Sequence, residues 1–531
     1  MTMTGTRSTQ PPRLAALGDI FRDSQLQLAL AMFAAMAVLG ILLRPALPID
    51  ETRYLTVAWE MRTGHDWLVP HLNGNAYSDK PPLLFWLINL VWLVTGPSEI
   101  AARLVAPVFG LLTILATAQL GARLYPAQPE LGGRAALILS SSLGFSLYAG
   151  LTMFDSMLAL ATVLGVLALS SISDGRGVQA RPWLLLGVAL AFGGLAKGPV
   201  ILLHLMPVTL TTLMWKRIPA RNLAKGVAIA LLTGVGIVSL WLVPTLARSG
   251  GEYREAILWT QSAGRVVQSF AHQRPVWYLL ATLPLLLWPW AWSPTVWREA
   301  RFPQPLPVWI GATLIIFSLI SGKQAHYLLP VLPAFALAFA PALASARRGA
   351  PLAAMVPAAA AVLLLAVVAG VGPHTLAIAA DPLPMALLVT GTMIVVALML
   401  ARGGLPVCVA APLVVVSLSC LFLGRMGEAY DATPMARRIA PHDQDGIGLV
   451  DGRYHGQFGF AGRLRDPLTL LDSAADGAAW LQACPGRILI GPVDNGPGLP
   501  SDTVDFRGET WGTWLPRSSD QINSKGGAKC R

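Results

Sequence analysis

Residues 26–53 read LQLALAMFAAMAVLGILLRPALPIDETR. The stretch from Leu26 to Leu43 contains no charged side chain. A helix needs about 20 mostly apolar residues to cross the hydrocarbon of a bilayer, so this segment reads as a crossing. Asp50 and Glu51 follow almost at once. A carboxylate pair at a membrane edge is costly unless it is paired or does chemistry. Arg53 lies close by, so a structural ion pair is one reading and a working pair is the other.

The same reading extends along the first four-fifths of the chain. Of its 531 residues, 54% are hydrophobic and only 13% are charged, against about a quarter charged in soluble proteins. Such a chain cannot cover a soluble surface, and it excludes disorder and a coiled coil. Apolar runs near 26–43, 101–120, 133–150, 155–172, 183–197, 199–215, 226–247, 276–297, 306–321, 326–344, 352–371, 384–401 and 405–424 predict thirteen crossings. The run Pro81–Gly96 is shorter and carries Trp86, Asn89 and Trp92. Lys and Arg concentrate in cytoplasmic loops. With the N-terminus inside and 81–96 lying in the interface, Arg123, Arg134, Lys216, Arg217, Arg221, Lys225, Arg298, Arg301, Arg347, Arg348 and Arg402 all fall inside. Counting 81–96 as a crossing inverts that pattern. The net charge of +11 therefore reads as membrane topology, not as a nucleic-acid footprint.

The expected organisation is a tail at 1–25, a membrane domain at 26–424 and an outer C-terminal domain at 425–531. The last is less apolar, and stretches such as RILIG at 487–491 predict strands in a small α/β unit. Cys484 and Cys530 lie there, either as a disulfide or as two thiols.

The outer loops break the charge rule locally. Loop 44–100 carries Arg44, Asp50, Glu51, Arg53, Glu60, Arg62, His65, Asp66, His71, Asp79 and Lys80. Asp155 opens a crossing in MFDSM, Lys197 sits at the turn GLAKGP, and Lys323, His326 and Tyr327 sit in GKQAHYLLP. Loop 248–275 holds Arg265 and His272, and its glycines give it the look of a lid. A merely solvated loop is the other reading of it. Carboxylates activate a hydroxyl or bind a metal, and basic groups hold a phosphate. On one side of a membrane, the set suits a phosphorylated lipid headgroup.

These residues also carry a resemblance. DETRYLTVAWEMRTGHDWLVPHLNGNAYSDKPP at 50–82, with MFDSMLAL, GLAKGP, the Arg265…His272-Gln-Arg-Pro segment and KQAHYLLPVLP, resembles the polyprenyl-phosphate-sugar glycosyltransferases of the GT-C fold. The likeness is closest to lipid A aminoarabinose transferases, with protein O-mannosyltransferases more distant, and it covers roughly residues 20–345. It implies an all-α polytopic membrane protein with two juxtamembrane helices in the first outer loop. It implies a bacterial inner-membrane enzyme with its site on the periplasmic side. That enzyme would move a pentose or hexose, 4-amino-4-deoxy-L-arabinose among them, from a polyprenyl-phosphate donor to lipid A, a glycan or a protein, with inversion. A groove between helices would take the polyprenyl tail.

By that resemblance Asp50 is the catalytic aspartate, Asp155 the second acid and Glu51 a supporting partner. Lys80, Arg265 and Tyr327 hold the carrier phosphate, with Lys197 and Lys323 as further contributors. Arg53, Asp79, His272 and His326 are further contacts to substrate or metal. Asp79 stands where aminoarabinose transferases often show Glu, and the resemblance fixes no cofactor and leaves a divalent metal open. Two other functions use the same charges: a flippase of polyprenyl-linked lipids, and an envelope protein that binds such lipids without chemistry. A flippase needs no carboxylate pair beside the first crossing and places polar groups near mid-membrane.

Overall fold

The computed structural model describes residues 22–173, 178–259, 273–346, 350–371, 378–404, 406–450 and 454–516. Among them, six helices are long and apolar enough to cross a membrane: Ser24–Leu43, Glu99–Leu124, Ala220–Arg248, Ala325–Ser345, Pro351–Val368 and Leu383–Arg402. Shorter apolar helices accompany them, including Leu131–Ser140, Asp155–Ser170, Val200–Trp215, Leu306–Leu319 and Val407–Leu423. The chain is a multi-pass membrane protein. The Asp155–Ser170 helix is buried along nearly its whole length, between Glu99–Leu124 and Ala180–Lys197. Close approach between neighbours rests on small residues, as membrane interfaces require. A Cβ at Gly132 would stand 2.3 Å from the Ala118 carbonyl oxygen.

Two expected runs are not continuous helices. Residues 133–150 divide into Leu131–Ser140 and Leu143–Tyr148. Residues 276–297 divide into Tyr278–Leu286, a turn at Trp290–Trp292, and Pro294–Glu299. Pro289 and Pro294 supply no N–H to a helix. The two breaks meet and satisfy each other: Leu143 N–H donates to the Trp288 carbonyl at 2.8 Å, and Trp290 Nε1 donates to Ser141 Oγ at 3.2 Å. Interrupted backbone is tolerated at membrane depth when neighbours re-satisfy it in this way.

The loop at 44–100, expected on the outer side, is built and not irregular. It holds the helix Asp50–Gly64, a two-residue hairpin of β1 (His71–Leu72) and β2 (Asn75–Ala76), and the helix Leu83–Thr95. The two helices pack on each other, and Asn89 Nδ2 donates to the Ala58 carbonyl at 2.9 Å. Beyond Gly424 the chain leaves the bundle. Strands β3 (Ile447–Val450), β4 (Thr469–Leu471), β5 (Ile488–Pro492), β6 (Asp502–Phe506) and β7 (Glu509–Trp514) form one sheet in the order β4-β3-β5-β7-β6. The β3 pairings are parallel and the β7 pairings antiparallel. Cys408 and Cys420 keep their thiols, Cys484 does not, and Cys530 lies outside the described residues.

This sheet region is fastened to the first outer loop. Thr56 Oγ1 donates to the Gly456 carbonyl at 2.6 Å and accepts from Phe460 N–H at 3.0 Å. Trp59 Nε1 donates to the Leu464 carbonyl at 2.7 Å. The Phe460 ring stacks on Trp92 with centroids 5.0 Å apart.

Candidate functional site

Asp50 and Asp155 are each the first residue of a helix, where the backbone dipole and unpaired N–H groups favour negative charge. Asp50 is half-buried, and the Tyr54 hydroxyl donates to its Oδ1 at 3.3 Å. Tyr54 lies four residues on, one helical turn away. The Tyr54 ring also meets Phe154 edge-on at 4.9 Å, so one side chain joins the two acidic helix starts.

Asp155 is 2% exposed. Lys197 Nζ lies 2.5 Å from its Oδ1, and His326 Nε2 lies 3.9 Å from its Oδ2. Lys197 ends its helix at Gly198, whose φ of +76° turns the chain sharply. The Lys197 ammonium also lies over the Tyr327 ring, 4.6 Å from the centroid, a cation–π contact. The His326 ring packs against Tyr148 and Tyr327. Lys80 acts electrostatically on both Asp155 and His326, and Asp50 acts on His326. Five separate segments of the chain thus bring Asp50, Lys80, Asp155, Lys197, His326 and Tyr327 together.

The remaining expected residues sort differently. Glu51 is buried and ion-paired with Arg44 rather than Arg53. Its carboxylate also accepts from the N–H groups of Leu47 at 3.0 Å and Thr152 at 2.9 Å. Burial opposes its charge, but Arg44, Arg103 and these hydrogen bonds outweigh burial and hold the carboxyl at about 2. Glu51 therefore ties the chain before Asp50 to the turn before Asp155. Arg53 faces Tyr77, Tyr54 and Asp50. Asp79 acts on Tyr77, whose hydroxyl is pushed up, first by burial and then by that charge. Lys323 is buried and directs its ammonium to backbone, 2.6 Å from the Ser318 carbonyl and 3.4 Å from that of Pro275. Arg265 and His272 lie outside the described residues, as does residue range 260–272 of the expected lid.

Among the described residues, no three His, Cys, Asp or Glu side chains are grouped to hold a metal ion. Both Asp155 oxygens already face cationic or ionisable nitrogens.

Sequence reasoning missed His204. It is buried beside the Lys197–Asp155 pair, with Nδ1 3.4 Å from Thr313 Oγ1 and its ring stacked on Phe317. It sits inside the apolar run VILLHLMPVTL, which gives no local signal of its neighbours. Arg103 was missed for the same reason. Tyr54 stood in the quoted motif, and its spacing from Asp50 was the available clue.

The bundle, the helical loop after the first span and the C-terminal sheet define a polytopic membrane protein of the GT-C fold. The crystal structure of ArnT from Cupriavidus metallidurans bound to undecaprenyl phosphate has this fold, with a TM-score of 0.69 and 20% identity over 93% of this chain and 98% of that one. Residues 79–246 match the family model described as dolichyl-phosphate-mannose-protein mannosyltransferase. The chain is 31% identical over 312 residues to an undecaprenyl phosphate-alpha-4-amino-4-deoxy-L-arabinose arabinosyl transferase of Pseudomonas aeruginosa (strain LESB58), covering 56% of each. It is 31% identical over 310 residues to the corresponding transferase 1 of Sodalis glossinidius, covering 55% of this chain and 54% of that one. The chain thus spans about half the length of the curated relatives it matches.

Proposed function

We propose that the protein is an inner-membrane glycosyltransferase that moves a sugar from a polyprenyl-phosphate donor to an acceptor at the periplasmic face. The observation that carries this reading is the meeting of a half-open carboxylate, Asp50, with a cationic and aromatic group around Asp155. The likeness to aminoarabinose transferases supports undecaprenyl phosphate as carrier, 4-amino-4-deoxy-L-arabinose or a related pentose or hexose as sugar, and lipid A, another envelope glycan or a protein as acceptor.

In this reading Asp50 takes the proton of the acceptor hydroxyl. The acceptor oxygen forms a bond to the anomeric carbon from the face opposite the carrier. The bond from that carbon to the phosphate oxygen breaks, its electron pair leaves with the phosphate, and configuration inverts. Lys80 and Arg265 neutralise the charge that develops on the phosphate, with Tyr327 beside them. Lys197 and His326 hold Asp155 in place, and Asp155 in turn orders the groups around the acceptor. Glu51 fixes the spacing of the two acidic helix starts, and Lys323 closes the end of the Leu306–Leu319 helix. The polyprenyl tail lies between helices.

The orientation that goes with this function places residues 1–25 in the cytoplasm, thirteen crossings within 26–424, and 425–531 outside. The helix Leu83–Thr95 then lies in the interface, and a topology reporter after Gly96 tests it. A cytoplasmic signal there overturns the orientation.

The activity itself is tested with purified protein in lipid, supplied with polyprenyl-phosphate-linked sugars. Released carrier phosphate is expected from the wild type, and Asp50→Asn is the control. Wild-type turnover in that variant removes Asp50 from its role. Transport of the lipid without release favours the flippase.

A further inference from the structure

The seam between the first outer loop and the sheet region encloses a cleft of about 620 Å³, within the roughly 300–1,000 Å³ usual for ligand sites. Arg62, His65 and Asp66 line one wall, and Tyr454, Arg465 and Asp466 line the other. The walls are held together by an amide clasp. Asn73 Nδ2 donates to the Leu468 carbonyl at 3.0 Å, and Leu468 N–H donates to Asn73 Oδ1 at 2.7 Å.

Not every polar group here is available. Both Glu60 oxygens accept from the backbone, from Asn73 N–H at 2.8 Å and Gly74 N–H at 3.1 Å. Asp66 Oδ1 accepts from Leu68 and Val69 N–H, both at 3.0 Å. By contrast, the Arg62 and Arg465 guanidiniums have no hydrogen-bond or ion-pair partner among the described residues. The cleft therefore offers strong donors together with the free oxygens of Asp66 and Asp466. A surface of one sign would suit a phosphate. Mixed donors and acceptors beside an aromatic ring suit the hydroxyl groups of a saccharide, each of which both donates and accepts.

Its position separates it from the transfer chemistry. Arg62 lies twelve residues from Asp50 on one helix. At about 1.5 Å per residue the two are about 18 Å apart along the axis. A ligand in the cleft is therefore remote from the reacting atoms, where binding energy selects a substrate without touching the bond that changes.

We propose that this cleft binds the carbohydrate part of the acceptor, away from the hydroxyl that reacts. The proposal rests on the glycosyl-transfer reading above. It gives the sheet region a task, as one wall of an acceptor site.

The test uses the full chain in lipid nanodiscs and calorimetric titration. The probes are the de-acylated headgroup of lipid A, a neutral tetrasaccharide and an acidic peptide of similar size. At least one saccharide should bind wild type and Asp50→Asn alike. It should bind an Arg62→Ala, Arg465→Ala double variant about tenfold more weakly or worse. Unchanged thermal unfolding of the double variant is expected, since neither guanidinium has a partner to lose. Failure of both saccharides to bind wild type, binding of the peptide alone, or equal binding by the double variant overturns the proposal. Carrier-phosphate release by the wild type with donor tests the transfer reading separately.

Discussion

Two helices of this protein begin with aspartate, and the two starts are built differently. Asp50 is half-buried and receives one hydroxyl, that of Tyr54. Asp155 is sealed, with Lys197 on one oxygen and His326 facing the other. The helix dipole supports a negative charge at both. The difference lies in what remains available: the open carboxylate has acceptor capacity for a substrate, and the sealed one has been used to organise its neighbours.

The largest expected effect separates these roles. Asp50→Asn should lower turnover of a lipid-linked sugar by about 10²–10⁴-fold, the range for losing a general base, while its unfolding transition stays near that of wild type. Equal loss of stability would make Asp50 as structural as Asp155.

Asp155→Asn should instead destabilise, because it leaves the half-buried Lys197 ammonium without its charged partner, at a cost below the roughly 3–5 kcal/mol of a fully buried pair. An Asp155→Leu, Lys197→Met double variant should recover much of that loss in thermal unfolding. No recovery would mean that the pair is not the stabilising unit.

Glu51 sharpens the contrast within one dipeptide. Its carboxyl is held at about 2 against an ordinary 4.5. That contribution, on the order of 3 kcal/mol, is complete above about 4.5 and is lost as pH falls towards 2. Glu51→Gln should flatten stability across that window, as measured by unfolding from pH 6 to pH 2. An unchanged acid limb would show that Glu51 does not clamp the two helix starts.

The smallest expected effect comes from Tyr54→Phe. It removes the hydroxyl that hydrogen-bonds Asp50 among the described residues, worth about 0.5–1.5 kcal/mol, and should reduce turnover severalfold without a comparable change in donor binding. A loss as large as that of Asp50→Asn would move the chemistry to the tyrosine.

Much of this was legible in the chain. Apolar runs located the helices, because a span must satisfy its backbone internally and hide few charges. Loop basicity set Pro81–Gly96 apart as interfacial rather than crossing, and the chain there forms the helix Leu83–Thr95. The motif residues Asp50, Lys80, Asp155, Lys197, His326 and Tyr327 were all named from sequence, and the structure brings them together. The breaks at Ser141–Ser142 and Trp288–Pro289 were not legible as a pair, since each is satisfied by the other across about 145 residues of chain. Nor was the partner of Glu51: Arg53 was nearer in sequence, yet the helix turns it towards Tyr77 and Asp50, and Arg44 folds back instead.

The sequence by itself determined that this chain lives in a membrane and which charges gather in the loops between its apolar runs, because hydropathy and charge act locally along the chain. Only the tertiary structure decided which carboxylate stays open, which cation pairs with it, and that the C-terminal sheet forms a cleft with the first outer loop. Those outcomes depend on side chains up to some 400 residues apart meeting in a buried space, where a charge must find a partner and a backbone group must find a bond.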